Sequence, residues 1–153
     1  MRPDNDRDEN LLKAAMIGDA DDVKALLEAG ADANVQDNNG LTVLMWASGN
    51  GWLDIVEALI VEGADLNAKS DVGRSALMYA SQGGRLDIVR RLLEKGADIS
   101  LKDKNGLTAL EFAERHGHGS VSELLASASE SIRKNGAADS KGGRDGKNSR
   151  GER

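Results

Sequence analysis

The chain contains no cysteine, and only four of its 153 residues are aromatic. Without thiols there is no disulfide and no thiolate-held metal, so stability must come from packing alone. No run of 18 apolar residues occurs, which excludes a membrane-spanning helix on hydropathy. The first ten residues, MRPDNDRDEN, are too charged for a signal peptide, so a cytoplasmic protein is expected. At this length one domain is expected.

Catalytic chemistry is equally sparse. His116 and His118 are the two histidines, and i, i+2 spacing with no third ligand does not make a metal site. Ser120, Ser122, Ser127, Ser129 and Ser131 have no partner histidine in a recognisable triad order. Gly49-Asn50-Gly51 and Gly83-Gly84 fall in turns between helices, whereas a phosphate loop joins a strand to a helix. The recurring aspartates have local work at turns and helix starts. No catalytic residue, metal or cofactor is expected.

What the chain has is repetition. Gly40, Gly73 and Gly106 are spaced by 33 residues, as are Leu44, Leu77 and Leu110. Ala14, Ala47, Ala80 and Ala113 keep that step, and so do Gly18, Gly51, Gly84 and Gly117. The tripeptide Gly-Ala-Asp recurs at 30–32, 63–65 and 96–98. Columns in register over four copies mark an internal repeat, a unit that buries its core only against its neighbours.

Within a unit the local chemistry reads in order. Asp37-Asn38-Asn39-Gly40 is a turn, because Asx side chains bond back to nearby amides and Gly accepts positive φ. Thr42, Ser75 and Thr108 then cap a short first helix. Leu44, Ala47, Ser48 and Gly51 form one narrow face of small residues on it. A second helix starts near Leu53, with Asp54, Asp87 or Asp21 in its first turn, where carboxylates favour the dipole. Its apolar stripe is Val56, Leu59 and Ile60, with Val89, Leu92 and Leu93, and Val23, Leu26 and Leu27, as equivalents. Gly30, Gly63 and Gly96 end it in left-handed conformation.

A turn and two antiparallel helices in 33 residues resemble the ankyrin repeat, whose signature is T-P-L-H-x-A. The versions here are Thr42-Val43-Leu44-Met45-Trp46-Ala47, Ser75-Ala76-Leu77-Met78-Tyr79-Ala80 and Thr108-Ala109-Leu110-Glu111-Phe112-Ala113. The likeness covers roughly residues 10 to 127. The fold it implies is all-α: an ankyrin-type α-solenoid of stacked helix-turn-helix repeats joined by β-turn fingers. Two positions depart from the family. Its Pro is Val or Ala throughout, which loses preorganisation of the helix start. Its His is Met45, Met78 and Glu111, so the hydrogen bonds which that His makes are expected to be absent, with Met filling space.

The domain plan is a flexible N-terminus over 1–9, an N-terminal capping repeat over 10–36, full repeats over 37–69 and 70–102, a C-terminal capping repeat over 103–130, and a basic tail over 131–153. Lys13 and Asp19 replace the aromatics of later units, and Ser122 and Ala126 replace aliphatics, as wet-faced caps require. From Ser131 the only apolar residue larger than Ala is Ile132, too little to offset ordering entropy, so disorder is expected. The tail holds seven Lys/Arg against three Asp/Glu, net +4, while residues 1–130 carry net −10. The tail's cations are interleaved with Gly and Ser, so nucleic acid is not expected as a partner.

In ankyrin-like proteins partners are held by the finger tips and the inner-helix face. Mapped by position, those are Asn38, Asn39 and Leu41, then Asp71, Val72 and Arg74, then Lys104, Asn105 and Leu107. Gly49, Asn50, Gln82, Gly83, Arg115 and His116 join them at the helix ends. Leu41, Val72 and Leu107 are expected to form an exposed apolar strip. Trp46, Tyr79 and Phe112 form one column, read either as packing between inner helices or as a ridge in the groove. Trp52 is expected to be exposed, and Arg85 and His118 are its equivalents. Asn34 and Asn67 also resemble the site hydroxylated in many ankyrin repeats; an Asn that bonds its own turn is the simpler reading.

The functional expectation is non-catalytic recognition of another protein by a monomer, over roughly 600–1,000 Å². No small-molecule substrate or membrane partner is expected. The alternative is a small regulatory or inhibitor subunit that blocks a partner enzyme, or a bare structural scaffold.

Overall fold

A computed structural model describes residues 3–151, with side chains over 5–135. Its helices are α1 (Pro3–Ile17), α2 (Ala20–Glu28), α3 (Val43–Asn50), α4 (Leu53–Val61), α5 (Ala76–Gln82), α6 (Leu86–Glu94), α7 (Ala109–Arg115) and α8 (Gly119–Gly151). Among the described residues the only β pairing is an isolated bridge between Gln36 and Thr42. The odd-numbered helices pack side by side as an inner row, and the even-numbered helices lie behind them. The expected all-α solenoid is what the chain forms.

Each unit is built by local rules. In the first finger the amide of Gly40 donates to the carbonyl of Asp37, and Asp37 Oδ1 accepts from the amides of Asn39 and Leu41. The hydroxyls of Thr42, Ser75 and Thr108 accept from the third helical amide of α3, α5 and α7. The vacated histidine position still works: the amide of Thr42 donates to Met45 Sδ at 3.4 Å, and Glu111 Oε1 accepts from the amide and hydroxyl of Thr108 at 3.1 and 3.2 Å. The expected loss is corrected for the fourth unit, where Glu111 reaches the Thr108 hydroxyl; in the second unit Met45 meets the Thr42 amide and not its hydroxyl. Thr108-x-x-Glu111 is a capping box, a signal already present in the sequence.

Stacking joins the units. Asp71 donates its amide to the carbonyl of Asn39, and Lys104 to that of Val72, so the three fingers form one ladder. The return loops form a second: Asn34 Oδ1 accepts from the amide of Asp65 at 2.7 Å, and Asn67 Oδ1 from that of Asp98 at 2.8 Å. At its start Asp8 of α1 accepts from the amide of Asp32 at 2.8 Å. At its end the Ser100 hydroxyl turns back on Asp98. The side chains of Asn34 and Asn67 thus bond forward to the next unit, while their amides close their own turns on Asp32 and Asp65.

The core is one continuous apolar layer along the stack. The inner helices are buried on more than the narrow face expected: Val43, Leu44, Met45, Ala47 and Ser48 of α3 are all buried. A helix flanked by inner helices on both sides and backed by an outer one has three covered faces. On the outer helices Ile55, Val56 and Leu59 carry the stripe, with Ile88, Val89 and Leu92 as equivalents, while Ile60 and Leu93 are half-buried. Each fully buried side chain contributes roughly 1.5–3 kcal/mol.

Both ends differ from expectation. Residues 3–9, expected to be flexible, are the first turns of α1, because Asp8 is tied to the first return loop and Asn5 donates to Glu9. The segment expected to lack structure from 131 continues the backbone of α8 to Gly151. Helical hydrogen bonds are local and need no tertiary partner, but residues 131–135 are exposed and add nothing to the core. Residues 1–2 and 152–153, part of those two segments, lie outside the described residues. Deleting 131–153 is expected to leave the unfolding free energy within about 0.5 kcal/mol of the full chain by urea titration.

Candidate partner-binding surface

Each inner helix from α3 onward presents one aromatic, and each aromatic is tied differently to its own finger. Trp46 donates its indole N–H to Asp37 Oδ2 at 3.0 Å. Tyr79 sets its hydroxyl 3.2 Å from Ser70 Oγ. Residue 103 is the third member of the column 37, 70, 103, but Phe112 has nothing to donate. Arg74, on the preceding finger, takes over. Its Nε lies 3.6 Å from Asp103 Oδ2, and its guanidinium sits 4.8 Å from the centroid of the Phe112 ring. A cation over a ring face is attracted by the ring's quadrupole, so one side chain is ion-paired with Asp103 and stacked on Phe112.

The aromatic column therefore resolves by degrees. Phe112 is core, with 3% of its surface exposed. Trp46 and Tyr79 are half-buried and flank a hollow of about 380 Å³ on the inner face. Leu41, Met45, Gly49, Asn50, Arg74, Gln82, Gly83 and His116 complete its wall. An adjoining hollow of about 460 Å³ lies toward the N-terminus, over Leu12, Met16 and Val35, with Lys13, Glu9, Asp37 and Asn38 around it. In the next interval Arg74 spans from Gln82 of α5 to Phe112 of α7. Of the sequence-derived residues, the structure thus gathers Leu41, Trp46, Asn50, Arg74, Tyr79 and Gln82 around one cavity.

Others lie elsewhere. Asn38, Asn39, Asp71, Val72, Lys104 and Asn105 are exposed at the finger tips. Leu41 and Leu107 are half-buried and pack on the core, so the expected apolar strip reduces to Val72, 51% exposed. Arg115 is exposed at the end of α7.

Trp52 is not the free indole expected. It is half-buried, its Nε1 is shielded from solvent, and its ring lies so close over Gly18 that a Cβ there would sit 2.6 Å from it. Arg85 covers Gly51 in the same way and donates from Nε to the carbonyl of Gly49 at 3.1 Å. His118 covers Gly84, with Nε2 2.9 Å from the carbonyl of Gln82. The column 52, 85, 118 thus latches each unit to the one before it. Polar residues are tolerated in this column because a carbonyl is within reach.

Sequence reasoning missed the N-terminal hollow. A signal for it was the apolar Met16 near the end of a capping helix, 43% exposed.

Among the described residues no three His, Cys, Asp or Glu side chains gather to hold a metal. Among the described residues two groups are clearly shifted, both away from the inner-face hollow. The Ser100 hydroxyl and amide hold the Asp98 carboxyl below the usual carboxylate range. The hydrogen bond that Arg91 donates to the Glu57 carboxylate raises the guanidinium further. No described helix is long and apolar enough to cross a membrane.

A family model described as ankyrin repeats, in three copies, matches residues 11–103, well over half of the chain. No curated protein matches it.

Proposed function

The chain belongs to the ankyrin-repeat family, whose members are generally protein–protein interaction modules, and from that premise we propose that it is a non-catalytic recognition protein whose inner face grips an extended segment of a partner protein. The observation that carries this reading is the inner-face hollow walled by Trp46 and Tyr79 and rimmed by the amides of Asn50 and Gln82, with the second hollow over Leu12, Met16 and Val35 toward the N-terminus. Aromatic walls supply contact area at low entropic cost, and the rim amides can satisfy a partner's backbone. The two hollows would take neighbouring side chains of one segment. The protein acts as a monomer in the cytoplasm, without cofactor, metal or small-molecule substrate.

The test is affinity capture followed by mass spectrometry with surface variants. Asn50→Arg and Gln82→Glu change exposed or half-exposed rim residues and leave no cavity in the core. Together they are expected to lower recovery of the specific partners by about tenfold, equivalent to about 1.4 kcal/mol. Circular dichroism should be unchanged. A control on the outer row, at exposed Glu123 of α8, Glu123→Lys, should retain those partners. Partners that survive the paired rim variant would remove the inner face from consideration.

A further inference from the structure

The outer row of helices holds a second feature, independent of the inner-face reading. Between α4 and α6 the gap is bridged. Arg91 of α6 reaches back to hydrogen-bond and ion-pair with Glu57 of α4, and lies 3.7 Å from Glu94 on its own helix. One unit earlier the equivalents of Arg91, Glu57 and Glu94 are Ala58, Lys24 and Val61. The bridge cannot form, and a groove of about 390 Å³ stays open between α2 and α4.

Its floor is apolar, from Leu27, Ala58 and Val61, and Val61 is 80% exposed. Its edge is acidic. Glu28, Asp54 and Glu62 line it with Lys24 as the one cation, while Glu57 is engaged by Arg91. An apolar floor with an acidic edge is left where the neighbouring interval holds an arginine. We propose that the α2–α4 groove is a second docking surface, which takes an arginine-bearing amphipathic segment of a partner protein. The apolar side of that segment covers Val61 and Ala58. Its guanidinium groups meet Glu28, Asp54 and Glu62 as Arg91 meets Glu57 and Glu94 in the next interval. Planar guanidinium suits carboxylates better than a lysine ammonium does.

The experiment uses the full chain and a fluorescent synthetic helix made of leucine and arginine, with a leucine–glutamate helix as the counterpart. Anisotropy should show binding of the arginine helix, weakening as salt rises, and no binding of the glutamate helix. Ala58→Arg copies the next unit and fills the groove; Val61→Lys, at an exposed site, removes the apolar contact and repels guanidinium without entering the core. Each should weaken binding by about tenfold with the circular dichroism spectrum retained. Equal binding of both helices, or indifference to both variants, overturns the proposal. So does loss of binding on Asn50→Arg, which would put the probe on the inner face instead. The chain itself offers Ile132-Arg133-Lys134, exposed on α8. If sedimentation shows self-association that Ile132→Asp abolishes, a second copy is the occupant and the foreign partner falls.

Discussion

Arg74→Ala is expected to cost about 2 kcal/mol, although the residue sits on a finger at the surface. The substitution leaves the Asp103 carboxylate, whose side chain is 1% exposed, without its counter-charge. Removing one member of a fully buried pair costs roughly 3–5 kcal/mol. The smaller figure reflects the 29% exposure of the Arg74 side chain and the two amides, of Asn105 and Leu107, that still donate to Asp103. Phe112 would also lose the cation over its ring. The chain suggests its own rescue. The neighbouring unit solves the same problem with Ser70 and Tyr79. Adding Asp103→Ser and Phe112→Tyr to Arg74→Ala copies that pairing and should restore more than half of the loss. Urea titration of the wild type and both variants measures this. An Arg74→Ala protein as stable as a Lys104→Ala control would show that the pair contributes nothing.

The second large effect separates stacking from backbone strain. Gly73 and Gly106 are equivalent and share φ of +81°. A Cβ on Gly73 would lie 2.9 Å from the backbone nitrogen of Lys104, an atom fixed by its own hydrogen bond to Val72. A Cβ on Gly106 meets nothing within 4 Å. Gly106→Ala therefore carries only the left-handed penalty, about 1 kcal/mol. Gly73→Ala carries that penalty and a backbone clash, in total about 3 kcal/mol. Hydrogen exchange should show the Gly73 variant loosening the fingers at Lys104, because the ladder there must part. Equal losses at the two glycines would mean that the fingers are not in register contact.

Much of this was legible because the repeat is a local object. The caps at Thr42, Ser75 and Thr108, the left-handed glycines and the antiparallel hairpin follow from residues within a few positions of one another. The 33-residue step then supplies the stacking partner of every column without any tertiary information. The candidate surface was legible only in outline. Leu41, Trp46, Asn50, Arg74, Tyr79 and Gln82 line one hollow. Trp52 and Arg85 do not join them, because each leans across the boundary onto a glycine of the preceding unit. Leu41 and Leu107 turn inward for a like reason: at the base of a finger, an apolar side chain finds the core before it finds solvent.

The sequence by itself determined the solenoid, its period and the end-to-end order of units, since periodic burial and turn chemistry act over short distances along the chain. Tertiary structure alone decided which members of a column remain open to a partner. The columns at 37, 70 and 103 and at 58 and 91 hold different side chains, and what each does depends on the unit beside it. That is why one interval between inner helices is spanned by Arg74 while its neighbour is hollow, and why the outer row is bridged between α4 and α6 but open between α2 and α4.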